Sequence, residues 1–177
     1  MKIELKHCEQ MTQEKAEFIE AKIDEMYDFV LDSRKCLNQE AHTTLNWLFA
    51  IIVGGAGYAV TQIVENKMQC WVIAPIAVMV VVCIWQAIRL FQGALQASSI
   101  YPKGNEPKNL ITDQFVSSDL HWMRLAETAN MQERISHALS HNRKMGDAIN
   151  RARWAVVLMP FIAAVGAAIA LRINVPS

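Results

Sequence analysis

The chain has 177 residues, of which 53% are apolar and only 19% charged, and its 17 basic and 17 acidic side chains cancel. A soluble domain carries roughly 25% charged residues. The shortfall argues against one compact soluble domain and for a few membrane spans with modest extramembrane parts. The charges are also local, crowding into residues 1–44 and 94–153.

The first forty residues are polar and acidic, so no cleavable signal is expected and the first span should act as its own insertion signal. Residues 10–42 contain neither Pro nor Gly and predict one long helix. Ala16, Ile19, Ile23, Met26, Val30, Ser33 and Leu37 follow alternating spacings of three and four, a seam of heptad type. Glu17, Glu20, Asp24, Glu25, Asp28 and Asp32 lie between them, which makes the outer face acidic. No breaker separates this helix from TLNWLFAIIVGGAGYAVTQIV, Thr44 to Val64, the first run long and apolar enough to cross a membrane.

A short link, ENKMQC, leads to the second run, WVIAPIAVMVVVCIWQAI from Trp71 to Ile88. Beyond Phe91 the stretch GALQASSIYPKGNEPKN has the composition of a loop. Helical periodicity resumes near Thr112, with Thr112 or Asp113 as the expected N-cap. Met131, Ile135, Ala138, Asn142, Met145, Ile149 and Ala152 form a second seam of the same spacing. It feeds into the third run, WAVVLMPFIAAVGAAIAL, Trp154 to Leu171. Trp47, Trp71, Trp85 and Trp154 lie towards the ends of these runs, where amphipathic rings prefer the interface.

Lys and Arg set the expected orientation. Residues 1–43 hold six, the link 65–70 one, residues 89–153 nine, and the tail only Arg172. The positive-inside rule then predicts a cytoplasmic N-terminus and a periplasmic C-terminus. The fold class is an all-α membrane protein with three transmembrane helices and two long cytoplasmic helices. Its parts are an N-terminal helix (1–43), a two-span hairpin (44–91), a cytoplasmic loop and helix (92–153), and a third span with a short tail (154–177). Narrow seams suit helix pairing, within the chain or between copies, and homo-oligomerisation is expected because two thin seams would hardly stabilise a monomeric domain. Cys8, Cys36, Cys70 and Cys83 show no metal spacing and no disulfide framework.

The span interiors contain no charged residue, which argues against proton relay, ion-coupled transport and voltage sensing. Ala50, Gly54, Gly57 and Thr61 share one face of the first span, and Ala163, Gly166 or Ala167, and Ala170 share one of the third. Such faces serve close helix packing, either among the three spans or around a multimeric pore.

The stretch ERISHALSHNRK gathers Arg134, His137, His141 and Lys144 on one helical face, extended by Arg151 with Arg143 beside it. Three readings remain open. The stripe is a solvated face drawn to anionic lipid, a binding site for an anionic ligand, or a nuclease pair. For the last, Arg134 and His141 fit the loose Arg-x(4–6)-His pattern of HEPN ribonucleases, except that Ile135 stands where that family carries a polar residue. His137 and His141 have zinc-pair spacing but no further ligand near them, so neither a metal nor a cofactor is expected.

The acidic helix QEKAEFIEAKIDEMYDFVLDSRK entering a tight hairpin, and the junction NRKMGDAINRARWAVVLMP into a third span, resemble the small membrane effectors of bacterial antiphage defence. The channel effectors of Hailong-type systems are most similar, and Pycsar-type transmembrane effectors look alike in outline. The resemblance covers most of the chain as architecture and transfers no ligand residue. It implies an inner-membrane pore, opened or closed by an oligonucleotide or cyclic nucleotide made by a partner nucleotidyltransferase. A membrane-anchored ribonuclease and a scaffold without a channel are the alternatives.

Overall fold

The computed structural model describes residues 12–65, 70–96 and 119–174. These are helical throughout, apart from single residues at segment ends. Helix α1 runs from Gln13 to Val64, α2 from Cys70 to Leu90 and α3 from Leu120 to Asn174, and a π-helical turn, Phe91–Leu95, closes α2. The expected N-cap at Thr112 or Asp113, the loop before it and the ENKMQ link fall wholly or mostly outside the described residues. As the unbroken composition predicts, α1 and α3 each pass from charged into apolar sequence without interruption. Pro75 and Pro160 lie inside helices, where membrane helices tolerate them.

All three helices are long and apolar enough to cross a membrane, with 18-residue windows of mean hydropathy 1.7, 2.1 and 1.9. Only 6%, 11% and 11% of those windows is buried within the protein. Hydrocarbon is a favourable surrounding for side chains this apolar and this uncovered.

The chain divides into two compact units, Met1–Lys35 with Ala97–Arg143, and Cys36–Gln96 with Lys144–Ser177. In the first, α1 and α3 pack around Tyr27, Val30, Met131 and Ile135. Glu20 meets Arg124 and Val30 meets Asn142, so partner numbers rise together and the helices run parallel. The second unit is a three-helix bundle around Ala41, Leu48, Cys83, Ala87, Leu90, Met145, Ile149, Ala152 and Met159. There Gly146 lies against Leu37 and Arg153 against Thr44, again a parallel pair. Gly93 contacts Ala148 while Gly166 contacts Pro75, so α2 is antiparallel to α3.

The seam of α3 is the expected one. Met131, Ile135, Asn142, Met145, Ile149 and Ala152 are all buried, and Ala138 is half-buried. The seam of α1 differs at Met26. Ala16 and Val30 are buried, with Ile23 and Leu37 half-buried, but Met26 is 40% exposed and Tyr27 takes the inward position. Ile19 stays half-buried beside Glu20, which bonds to α3. The reason is geometric: after Ile23 a step of three or of four returns to the same side, and both candidate residues are apolar. The partner helix makes the choice. Both seams are also covered within one chain, so their burial does not require a second copy.

Replacing Val30 by Glu places an unpaired charge at a site 1% exposed, at a cost on the order of 3 kcal/mol or more. Limited proteolysis should then cut the α1–α3 pair readily. Met26→Glu should change stability by less than about 0.5 kcal/mol, and equal sensitivity in the two variants would contradict this register.

Candidate functional site

The polar residues of α1 and α3 sort by what they touch. In the first unit, Arg124 donates to both carboxylate oxygens of Glu20, Nε at 2.9 Å and Nη2 at 2.6 Å, with Glu17 3.8 Å away. Such a fork-to-fork geometry is the strong form of an ion pair, and the Glu20 hydrogen bond raises the Arg124 guanidinium above its ordinary value. Beside this pair opens a cavity of about 440 Å³ lined by Ile23, Asp24, Glu127, Thr128 and Met131.

The basic stripe does not stand as one uniform face. The Arg134 side chain is only 16% exposed and turns to Glu127, Nη1 to Oε1 3.6 Å. His137 is exposed, its Nε2 3.8 Å from Glu133, and His141 is half-buried. Arg143 is exposed at the end of the first unit. Lys144 and Arg151, in the second, are exposed too, and Arg151 Nε donates to the Asp147 carbonyl at 3.2 Å. Lys144, Arg151 and Arg143 are therefore the cations that face outward, while Arg134 is committed to an ion pair. Among the described residues no group of three His, Cys, Asp or Glu side chains is placed to hold a metal ion.

Asn142 sits in the seam at 6% exposure, and its Nδ2 donates to the Val30 carbonyl at 3.0 Å. Its Oδ1 is buried without a hydrogen-bond partner. An amide at such a position fixes the register of two helices at some cost in stability.

In the second unit, Arg153 donates through Nε to the Thr44 hydroxyl at 3.2 Å and pairs through Nη1 with Glu40 at 3.1 Å. Thr44 is fully buried and donates to the Glu40 carbonyl at 2.8 Å. This clamp ties α1 to α3 where the third span begins. It was not among the residues picked out from sequence, although Thr44 and Arg153 flank the starts of the first and third apolar runs.

The small-residue faces separate. Ala50, Gly54, Gly57 and Thr61 are all exposed, and a side chain at Gly54 or Gly57 would meet nothing within 4 Å. The close contacts come from their neighbours: a Cβ at Gly55 would lie 2.9 Å from Val80, and one at Gly166 would lie 3.4 Å from Pro75. Ala163 and Ala167 are half-buried, and the side chain of Ala170 falls outside the described set. The face singled out on the first span is thus not the one that packs the three helices together.

Compared with models of known protein families, with curated proteins and with solved structures, the chain matches none. Among the described residues, the class that the fold defines is an all-helical protein with three helices able to cross a membrane by length and composition.

Two outcomes follow. Asn142→Leu removes the orphaned oxygen from the seam and should stabilise the pair by on the order of 1 kcal/mol, measured as a rise in the thermal midpoint in detergent. A fall would show that the amide contributes more than it costs. Gly55→Leu should collapse expression of folded protein through overpacking worth about 1–3 kcal/mol, whereas Gly54→Leu should leave the melting profile of the isolated chain unchanged.

Proposed function

We propose that the protein is a membrane pore effector of antiphage defence, assembled from several copies in the bacterial inner membrane, and not an enzyme. The observation that supports this reading best is the continuity of α1 and α3, each of which runs unbroken from a charged segment into an apolar span. A ligand that shifts one helix against the other outside the bilayer has a direct mechanical route to the spans, since paired helices rearrange as whole elements. The parallel direction of α1 and α3 also agrees with the positive-inside count, which puts the segments before spans one and three together in the cytoplasm.

The exposed stripe of Ala50, Gly54, Gly57 and Thr61 is the surface proposed to meet other copies around the pore. A lumen lined by such residues would be gated by wetting and drying. The controlling ligand is a nucleotide or oligonucleotide anion from a partner nucleotidyltransferase, received by the outward cations of α3. Lys144 and Arg151, both in the second unit, carry the main role. Arg134 keeps a structural role through Glu127. That pairing lends no support to Arg134 as a nuclease residue.

The purified chain in liposomes should pass ions in a manner that a short DNA oligonucleotide or a cyclic nucleotide changes. Lys144→Glu with Arg151→Glu should abolish that response and leave insertion intact. Each lost phosphate contact should flatten the dependence of log affinity on log salt by about one unit. Liposomes that stay impermeable under all ligands would favour a scaffold, and RNA cleavage lost on His141→Ala would favour the ribonuclease.

A further inference from the structure

Within the three-helix bundle, α1 and α2 leave a groove of about 530 Å³ between them. Leu45, Phe49 and Ile52 form one wall, and Ile84, Ala87, Ile88 and Phe91 form the other. Phe49, Ile84, Ile88 and Phe91 are 51%, 43%, 47% and 56% exposed, so the groove is open at its side. It lies along the stretches of α1 and α2 that belong to the candidate spans. In a bilayer, the surroundings that can fill an apolar side opening along the spans are acyl chains.

One end of the groove is polar. Gln92 and Gln96 line it where the π-helical turn replaces the last α-turn of α2, and Gln96 N–H donates to the Phe91 carbonyl at 2.7 Å. Beside the lining residue Ile88 stands Arg89, exposed, its guanidinium carbon 5.5 Å from the centroid of the Trp85 ring. Tryptophan and arginine paired in this way mark the level of the lipid headgroups. The sequence carries no Asp or Glu between Glu65 and Glu106, so nothing acidic on the hairpin neutralises Arg89. Its full positive charge also outweighs the roughly half negative charge of a helix C-terminus.

We infer that this groove is a binding site for one anionic phospholipid, with an acyl chain lying between α1 and α2 and the phosphate against Arg89, Gln92 and Gln96. The site depends on the spans being in a bilayer and not on the pore reading, so it stands even if the chain conducts nothing. Its role follows from its place. The occupant touches both helices of the hairpin at once, so binding favours their packed arrangement over a separated one.

The test is photo-crosslinking of the full chain, carrying p-benzoylphenylalanine in place of Ile88, in vesicles of phosphatidylcholine mixed with phosphatidylglycerol. Mass spectrometry should find phospholipid adducts, with phosphatidylglycerol enriched about fivefold over its share, the worth of one interfacial cation. Arg89→Gln should remove the enrichment and keep the adducts. The same probe in place of Val81, which is 64% exposed and does not line the groove, should give adducts with no enrichment. Adducts at position 88 without enrichment, a crosslink to a second copy, or one to residues 97–118 of the same chain would each overturn the assignment. Ile88 is half exposed, so the probe should not prevent folding, and phospholipid counted after purification of the unmodified chain gives a second reading. A preparation that retains no phospholipid in mild detergent would also count against the site.

Discussion

In each of the two units the packing rests on a parallel contact between α1 and α3. Two helices that run the same way cannot be joined by a short turn. The chain must return, and α2 is that return stroke. The seam residues Tyr27, Val30, Met131 and Ile135 hold the contact in the first unit, and Ala41, Leu48, Met145 and Ile149 hold it in the second. In the second unit α2 adds Cys83, Ala87, Leu90 and Ala94 to that core. The first unit has no such third helix among its described residues, and in both units polar groups interrupt the contact of α1 with α3.

Those polar groups explain why the pairing is specific rather than merely sticky. Apolar seams of heptad spacing slide against one another by a whole repeat at little cost. The fork from Arg124 to Glu20, the amide of Asn142 on Val30, and the clamp of Arg153 on Thr44 and Glu40 each meet their partner in one register only. Slippage would part these ion pairs and leave the buried Asn142 amide without its partner, which costs more than a lost methyl contact does. Stability is traded for alignment at Asn142, whose oxygen already lacks a partner.

The outer surface is divided with equal consequence. Along the apolar stretches, Trp47, Phe49, Val53, Val81, Trp154, Phe161 and Val165 are half or more exposed, a surface that hydrocarbon surroundings favour. Phe18 and Phe29 are 65% and 63% exposed on the charged part of α1, outside that stretch. The hydrocarbon explanation does not extend to them.

Sequence by itself determined the helices and the spans, because their signals are local. The absence of Pro and Gly from residues 10–42, the uncharged runs, and the heptad phase of Met131 to Ala152 each depend on neighbours within a few turns. It also singled out Asn142 as a polar residue in a seam. Tertiary structure alone showed the seams pairing α1 with α3 within one chain, because spacing describes one helix and not its partner. It decided Tyr27 over Met26, since both are apolar and a turn apart from Ile23. It turned Arg134 towards Glu127 and left Lys144 and Arg151 outward, a distinction that helical periodicity at this spacing does not resolve. It moved the close packing of the first span from Gly54 and Gly57 to Gly55. Small residues lie on both sides of that helix, and only the position of α2 tells which side is covered.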